Sequence, residues 1–333
     1  MPTPDLQLSV LDLAPIAPGQ TAGESIAASV ALARTAEAHG FRRVWYAEHH
    51  NMPAIASSAT SVLISHVGAH TSTIRLGAGG VMLPNHSPLT IAEQFGTLEA
   101  MYPGRIDLGL GRAPGSDQNT MYALRRDPNS ADRFPQDVLE LQAYLAGKTR
   151  VPGVDAVPGK GSHVPLYVLG SSMFGATLAA ALGLPYAFAS HFAPQLLEKA
   201  VAAYRSEFRP SAQLAEPYVI AGVNVVAADS TDDARADLAQ VRRRLAVGLF
   251  GRGRQLSDDE ADLLLSGGAA VHVDGMLTHT AVGTAAEVRE QLRAFRALAD
   301  ADELIVAFQS PRPEARLRAV ELTAEAMEPA TAA

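Results

Sequence analysis

The sequence of 333 residues contains no cysteine. This absence excludes disulfide bonds, thiolate metal sites and cysteine nucleophiles. Lysine is almost as scarce, since the chain has only Lys148, Lys160 and Lys199. The first two lie in segments rich in glycine and proline and the third on a polar helical face, so the sequence offers no suitable lysine for Schiff-base catalysis.

Long apolar runs and basic stripes are also missing. No stretch approaches the roughly 18 apolar residues of a membrane span, and the first five residues lack the basic and apolar regions of a signal peptide. The net charge is −8 and the arginines are scattered among acids, which does not suit binding to a phosphate backbone. We therefore expect a cytoplasmic protein that binds neither membranes nor nucleic acid.

The chain does have abundant core-forming residues, 47% of the total, arranged as alternating strands and helices. Apolar segments predict eight strands at 6–13, 44–47, 74–83, 106–111, 165–169, 184–190, 218–228 and 303–308. Helical spacing predicts helices at 24–39, 57–70, 88–101, 131–145, 174–182, 194–208, 231–247, 284–298 and 311–327. This order predicts a single (β/α)8 TIM barrel over residues 1–333. The pattern breaks near residues 250–275, which predicts an insertion that is either a mobile lid or a passive surface excursion.

The end of the second strand carries the strongest functional signal. Four apolar or aromatic residues, 44–47, run directly into Glu48, His49 and His50. Successive side chains on an extended backbone point to opposite faces, so the two histidines are not expected to bind one ion, whereas Glu48 and His50 can share a side. We predict a catalytic site here with two roles and no metal. The alternative is that Glu48 and His50 only hydrogen-bond neighbouring loops.

Two further strand ends have the features of an anion site. The fourth strand ends in Gly111 and Arg112, and the arginine can clamp a phosphate. Pro114 replaces the third glycine of a dinucleotide-binding fingerprint, so the Rossmann interpretation fails. The fifth strand ends in Gly170-Ser171-Ser172 before a helix, where backbone N–H groups and the helix dipole favour an anion. A surface arginine and an ordinary serine cap are the alternatives.

Glycine interrupts the third strand at Gly79 and Gly80. A residue without a Cβ allows a ligand to approach the backbone closely, although a β-bulge is an equal alternative. In a TIM barrel the carboxyl ends of the strands form one face. That face collects Glu48, His49, His50, Gly79, Gly80, Arg112, Ser171, Ser172 and Ser190, a set that suits one anionic, planar cofactor.

Together these segments resemble the bacterial luciferase-like flavin monooxygenases, in the single-chain group that emits no light. The resemblance covers nearly the whole chain. It rests on WYAEHH at 45–50, LGAGGVMLP at 76–84, PGRIDLGLGR at 103–112 and PLYVLGSS at 165–172. Each motif is weak by itself, and the combination is specific.

The resemblance implies a barrel that binds reduced FMN, forms a C4a-hydroperoxyflavin with O2 and transfers oxygen to a small organic substrate. It implies a catalytic His49, a cis peptide between the two glycines 79 and 80 against the flavin ring, and a phosphate held by Arg112 and Ser172. Luciferase has a cysteine in place of Gly111 and a glutamate in place of Ser171. Neither light emission nor a long-chain aldehyde substrate is therefore implied.

The expected partners follow from the same comparison. No nicotinamide or second flavin site is evident, so a separate flavin reductase is expected to supply reduced FMN. Luciferase-like barrels pair through helices beside the second and third strands, and the helix at 57–70 is rich in small residues, so a homodimer is expected.

Three other functions are compatible with parts of the sequence. An F420-dependent oxidoreductase would need extra cations for its long anionic tail, and Arg252 and Arg254 are the available candidates. A flavin-binding protein without turnover is the second alternative. A metal-dependent hydrolase would need histidines at several strand ends, and only His191 joins the pair of Glu48 and His50.

Overall fold

The computed structural model describes residues 6–113, 117–127, 129–251, 253–325 and 327. Within these residues the strands are β1 Leu8–Asp12, β2 Arg43–Tyr46, β3 Arg75–Met82, β4 Ile106–Gly111, β5 Leu166–Gly170, β6 Tyr186–Phe188, β7 Val219–Ala227, β8 Thr280–Gly283 and β9 Glu303–Phe308. The first four helices are α1 Ala22–Ala38, α2 Thr60–Gly68, α3 Pro88–Met101 and α4 Gln118–Ala123. The next four are α5 Phe134–Leu145, α6 Met173–Leu182, α7 Leu197–Glu207 and α8 Thr231–Phe250. The last four are α9 Asp258–Leu264, α10 Ala270–Met276, α11 Ala285–Leu298 and α12 Pro313–Glu325. None of these helices combines the length and the apolar character that crossing a membrane requires.

Eight of the strands form a closed parallel barrel. The order is β1-β2-β3-β4-β5-β6-β7-β9, and the pairings of β6 with β7 and of β9 with β1 complete the ring. Strand β8 is not part of the ring, because it pairs with the second half of β7, beyond the point where β6 ends. The predicted (β/α)8 TIM barrel is confirmed.

The structure differs from the predicted elements in three places, and the first is the short helix α4, which was not predicted. Strand β8 was not predicted, because its four residues carry no apolar run and it adds to β7 outside the barrel. The insertion is helical where the sequence suggested irregular chain. Helix α8 continues to Phe250, and α9 and α10 follow, joined by a π-helical turn with a kink at Gly268. Helix α9 begins with a capping box between Ser257 and Glu260. This sequence pattern predicts the start of a helix.

Charged side chains fill the amino-terminal end of the barrel interior. The guanidinium of Arg43 donates to Asp107 at 2.7 Å and to Glu303 at 3.1 Å. Arg43 also donates to the Tyr167 hydroxyl at 2.8 Å, and the indole N–H of Trp45 donates to Asp107 at 3.1 Å. All three charged side chains are inaccessible to solvent. A buried charge network of this kind is strongly destabilised when one partner is removed, and it closes this end of the barrel.

An apolar layer lies above the charged network. It contains Leu11, Trp45, Ala47, Tyr167, Ala187, Ile220 and Ile305. The rings of Trp45 and Tyr167 meet edge to face with centroids 4.9 Å apart. Gly77 makes room for this packing, because a Cβ there would lie 2.5 Å from the carbonyl oxygen of Asp107. The interior is therefore filled in its lower half and leaves space only towards the carboxyl ends of the strands.

Glu37, in the last turn of α1, fastens the loop that leads into β3. One of its carboxylate oxygens accepts hydrogen bonds from the backbone N–H groups of Ser72 at 2.9 Å, Thr73 at 2.6 Å and Ile74 at 2.9 Å. Partial burial opposes the negative charge, but these bonds outweigh it and lower the pKa of Glu37 to about 2. The carboxylate therefore stabilises the fold at neutral pH.

We expect Glu37→Gln to lower the free energy of unfolding by about 1–2 kcal/mol at pH 7, because glutamine keeps an acceptor but loses the charge. The folded-state pKa lies below the unfolded value of 4.5. The stabilisation is therefore complete above the unfolded pKa and is lost as the pH falls towards 2. Urea unfolding at pH 7 and pH 3 measures this, with Glu290→Gln, an exposed acid on α11, as the control. A difference between Glu37→Gln and the parent that is the same at both pH values would contradict the assignment.

Candidate active site

A cavity of about 840 Å³ opens at the carboxyl ends of the strands. This volume lies in the range of cofactor and small-molecule sites. Eight of the predicted site residues line it: His49, Gly79, Gly80, Gly111, Arg112, Gly170, Ser171 and Ser172. The other three, Glu48, His50 and Ser190, are not in its lining. The strand ends therefore meet at one site, but not every polar side chain at a strand end reaches it.

The two adjacent histidines point to different sides of the chain, as strand alternation predicts. His49 lines the cavity, and its backbone N–H donates to the carbonyl of Ser57 at 3.1 Å. Its buried Nδ1 has no partner in the described part of the chain. Burial lowers the pKa of His49, although the Ala47 backbone and the charge of Glu48 oppose the shift. Burial thus favours the neutral imidazole, which has one ring nitrogen that can donate a hydrogen bond and one that can accept.

Glu48 and His50 face away from the cavity and meet a third residue, His86. The Nε2 atom of His50 lies 2.8 Å from one Glu48 carboxylate oxygen, and Nε2 of His86 lies 2.9 Å from the same oxygen. The other oxygen accepts the Met82 backbone N–H at 3.0 Å. Burial opposes the charge of Glu48, but these hydrogen bonds hold its pKa below the ordinary value. The cluster joins the loop after β2 to the loop after β3. This arrangement matches the alternative given in the sequence analysis, in which Glu48 and His50 hydrogen-bond neighbouring loops.

Ser190 lies outside the cavity lining as well. Its hydroxyl is buried and donates to the carbonyl oxygen of Gly222 at 2.6 Å. The expected contact between this residue and a cofactor is thus replaced by a hydrogen bond to the backbone of β7. The residue that follows it, His191, does line the cavity.

His191 forms a polar corner of the cavity with Asn224 and Gln309, which sequence reasoning did not assign to the site. The Asn224 amide donates to the carbonyl of His191 at 2.6 Å and accepts from Gln309 at 2.9 Å. A Cβ at Gly222 would lie 2.4 Å from Nδ1 of His191, so glycine is needed for the ring to fit. Burial and the nearby imidazole of His49 lower the pKa of His191 to about 4. The sequence could have indicated this polar corner, because Asn224 is a polar residue inside the otherwise apolar strand β7.

Arg112 and the start of α6 face each other at another part of the cavity. The guanidinium carbon of Arg112 lies 4.2 Å from the ring centroid of Phe174, in the first turn of α6. Ser172 is the N-cap residue of this helix, and its side chain makes no capping hydrogen bond. A Cβ at Gly170 would meet only the Cα of Gly175, at 3.8 Å. Within the described residues, a cation, the N-terminus of a helix without a side-chain cap, and open space are thus combined, which suits a phosphate.

The peptide bond between Gly79 and Gly80 is cis, as the resemblance implies. Both residues line the cavity. A Cβ at Gly79 would lie 2.8 Å from Cβ of Trp45, and one at Gly80 would lie 2.8 Å from the carbonyl oxygen of Gly109. Side chains are therefore excluded at both positions, and the strand presents bare backbone to the cavity.

The sequence matches a family model described as luciferase-like monooxygenase over residues 6–302. A relative from Escherichia coli (strain K12), described as a luciferase-like monooxygenase, is 49% identical over 326 residues, which is 97% of each chain. An N-acetyl-S-alkylcysteine monooxygenase from Bacillus subtilis (strain 168) is 41% identical over 196 residues, which is 55% of this chain and 57% of that relative.

Solved structures show the same barrel. The crystal structure of apo-MsnO8 is 35% identical, with a TM-score of 0.87 over 96% of this chain and 98% of that chain. More distant neighbours are the oxygenating constituent of 3,6-diketocamphane monooxygenase in complex with FMN (TM-score 0.72, 15% identity, 96% of each chain) and an F420-dependent secondary alcohol dehydrogenase (TM-score 0.73, 16% identity, 97% and 99%). At such identities the likeness concerns the fold alone. From the family match and the close relatives, the chain belongs to the luciferase-like monooxygenase family.

Proposed function

We propose that this protein is an FMN-dependent monooxygenase that uses reduced FMN and O2 to oxygenate a small organic substrate. The observation that carries the proposal is the joint placement, in one cavity, of a bare glycine pair, a cation beside a helix N-terminus, and the buried His49. These are the three things that a bound flavin monophosphate requires of a protein: a flat surface for the ring, an anion site and a proton-exchanging group.

The residues fit the phosphate and the ring of FMN. Arg112 and the backbone N–H groups at the start of α6 would hold the phosphate, helped by the hydroxyls of Ser171 and Ser172. The ring would lie against Gly79 and Gly80, where no side chain projects. When bound, the reduced flavin supplies the electrons that activate O2, and the protein has no need of another redox group.

The other work falls to the chain's own side chains. Most of the cavity surface is apolar, with Leu11, Leu13 and Ile305 among the lining residues, and these side chains would limit the contact of a bound flavin with water. His49, whose lowered pKa favours the neutral form, lines the cavity and would give or take a proton there. His191 offers a second neutral imidazole nearby and can orient a polar group of the substrate.

The cation content of the cavity favours FMN over F420. Among the described residues, Arg112 is the one lysine or arginine in the cavity lining. Arg254 is exposed and does not line the cavity, and Arg252 lies outside the described residues. The longer anionic tail of F420 would demand more positive charge than the described residues of the cavity lining provide, so F420 is the second candidate.

The proposal predicts that reduced FMN binds and that the bound flavin reacts with O2 differently from free flavin. We expect titration to show binding of reduced FMN and weaker or no binding of F420. Stopped-flow mixing with O2 should then show a flavin absorbance transient that outlives the reoxidation of free reduced FMN. Thioethers are the first substrates to screen, given the name of the Bacillus relative, with a flavin reductase added to the assay.

Two results would contradict the proposal. Tight binding of F420 together with no binding of reduced FMN would assign the cavity to the other cofactor. Binding of reduced FMN with reoxidation at the rate of the free flavin, and with no oxygenated product, would identify a flavin-binding protein without turnover.

A further inference from the structure

The cluster of Glu48, His50 and His86 lies outside the cavity lining and is not used by the proposed reaction. Its three possible ligand atoms, a carboxylate oxygen and two imidazole Nε2 atoms, all lie within 4.8 Å of one another. The oxygen is 2.8 Å from one Nε2 and 2.9 Å from the other. A histidine is usually found as a lone hydrogen-bonding group, whereas here two converge on one buried acid.

The carboxylate is held in place before any ion arrives. The Glu48 backbone N–H donates to the carbonyl of Gly80 at 3.2 Å, and one carboxylate oxygen accepts the Met82 N–H at 3.0 Å. The side chain of Glu48 is 2% exposed, that of His50 18% and that of His86 27%. The acid is therefore fixed and buried, while the two rings border solvent and leave an entry path.

We propose that Glu48, His50 and His86 form a binding site for one divalent transition-metal ion of the zinc type. Zinc takes imidazole nitrogen and carboxylate oxygen at about 2.0–2.2 Å, and three protein ligands with water in the fourth position are a common set. Ligands of one such ion lie about 3–4 Å apart, so small movements of the rings would suffice. Magnesium and calcium prefer sets made of oxygen alone.

Metal binding would replace the present hydrogen bonds and not add to them. Each imidazole now places Nε2 at hydrogen-bond distance from Glu48. To bind a metal through Nε2, each ring must leave that nitrogen without a proton, so that its lone pair faces the ion. The site is thus complete as a hydrogen-bonded cluster without the ion and can convert to a metal site.

The site would act on the loops that border the cavity. It ties the loop after β2 to the loop after β3, and His49 lies between two of its ligands in sequence. A bound ion would fix the segment 48–50 relative to His86 and so raise the stability of this end of the barrel. The inference does not depend on the identity of the cofactor.

The test is calorimetric titration of the chelator-treated full chain with ZnCl2. We expect one ion per chain, with affinity lowered roughly 100-fold or more in His50→Gln and in His86→Gln, since loss of a ligand should exceed the cost of losing an outer-shell partner. ZnCl2 should raise the melting temperature of the parent, and MgCl2 should not. The double variant His66→Gln/His70→Gln is the matched control, because these residues form another pair of neighbouring histidines, on and just after α2, and its zinc affinity should equal that of the parent.

A spectroscopic measurement on the parent tests the proposal even if the variants fail to fold. Co2+ added in place of Zn2+ should give the visible d–d absorption of a four- or five-coordinate site, and added Zn2+ should remove it. The proposal is overturned if the parent shows neither zinc binding nor this spectrum. It is also overturned if folded His50→Gln and His86→Gln bind zinc as tightly as the parent, or if the α2 double variant abolishes binding.

Discussion

His49→Ala is expected to bind reduced FMN almost as well as the parent and to lose about 10²–10⁴ in turnover, the usual contribution of a positioned acid or base. His49 faces the cavity and has a buried ring nitrogen without a partner among the described residues. The proposed phosphate site lies elsewhere, at Arg112 and α6. Flavin affinity and single-turnover product formation, measured on the same sample, separate the two effects.

The controls for this prediction come from other histidines. His70→Ala removes an exposed imidazole beyond α2 and should behave as the parent. His50→Ala removes a partner of Glu48, so its loss should appear mainly in stability or loop order. If His49→Ala oxidises substrate at the parental rate, or fails to bind flavin, the catalytic role is wrong.

Arg112→Ala is expected to weaken FMN binding roughly 10- to 150-fold, which corresponds to the loss of a charge-assisted hydrogen bond worth about 1.5–3 kcal/mol. Riboflavin lacks the phosphate, so its affinity should hardly change. Fluorescence titration with both ligands gives the comparison directly. Riboflavin binding also shows whether the variant keeps the cavity intact after losing its stacking on Phe174.

Arg133→Ala is the matched control for Arg112, since it removes an exposed arginine that pairs with Asp137 at the start of α5. It should bind both ligands as the parent does. Equal losses of FMN and riboflavin affinity in Arg112→Ala would show that the arginine supports the shape of the cavity and does not bind a phosphate.

Much of the barrel could be predicted from the sequence because its strands are apolar runs and its helices have a regular apolar spacing. The failures have local causes. Strand β8 is short and pairs outside the barrel, so it lacks the burial that makes a strand visible in a sequence. The segment after Phe250 is rich in acids and glycines, which hides its helices in the sequence. These helices pack against α8, where Arg243 donates hydrogen bonds to Asp262 and Asp258.

The position of a site residue could be predicted where it depends on a single strand, because alternation along that strand sets the side to which each side chain points. Strand alternation separates His49 from His50, and His50 lies on the same side as Glu48, with its Nε2 atom 2.8 Å from the carboxylate. Contacts between residues of different strands were missed, because the neighbours of a strand are set by the barrel topology and not by spacing along the chain. Asn224 and Gln309 are 85 residues apart and share a hydrogen bond. The homodimer and the separate reductase concern other chains and stay predictions.

The charged network of Arg43, Asp107 and Glu303 closes the barrel below the cavity. Molecules cannot pass through this end of the barrel, and within the described residues the cavity opens at the carboxyl ends of the strands. Under the proposed function, flavin, oxygen and substrate would all enter there and the product would leave there. If flavin lies against Gly79 and Gly80 as proposed, it would enter before the substrate and leave after the product, so the shape of the barrel would set the order of binding. A substrate longer than the space above that flavin would be oxidised near one end, with its other end at the opening of the cavity.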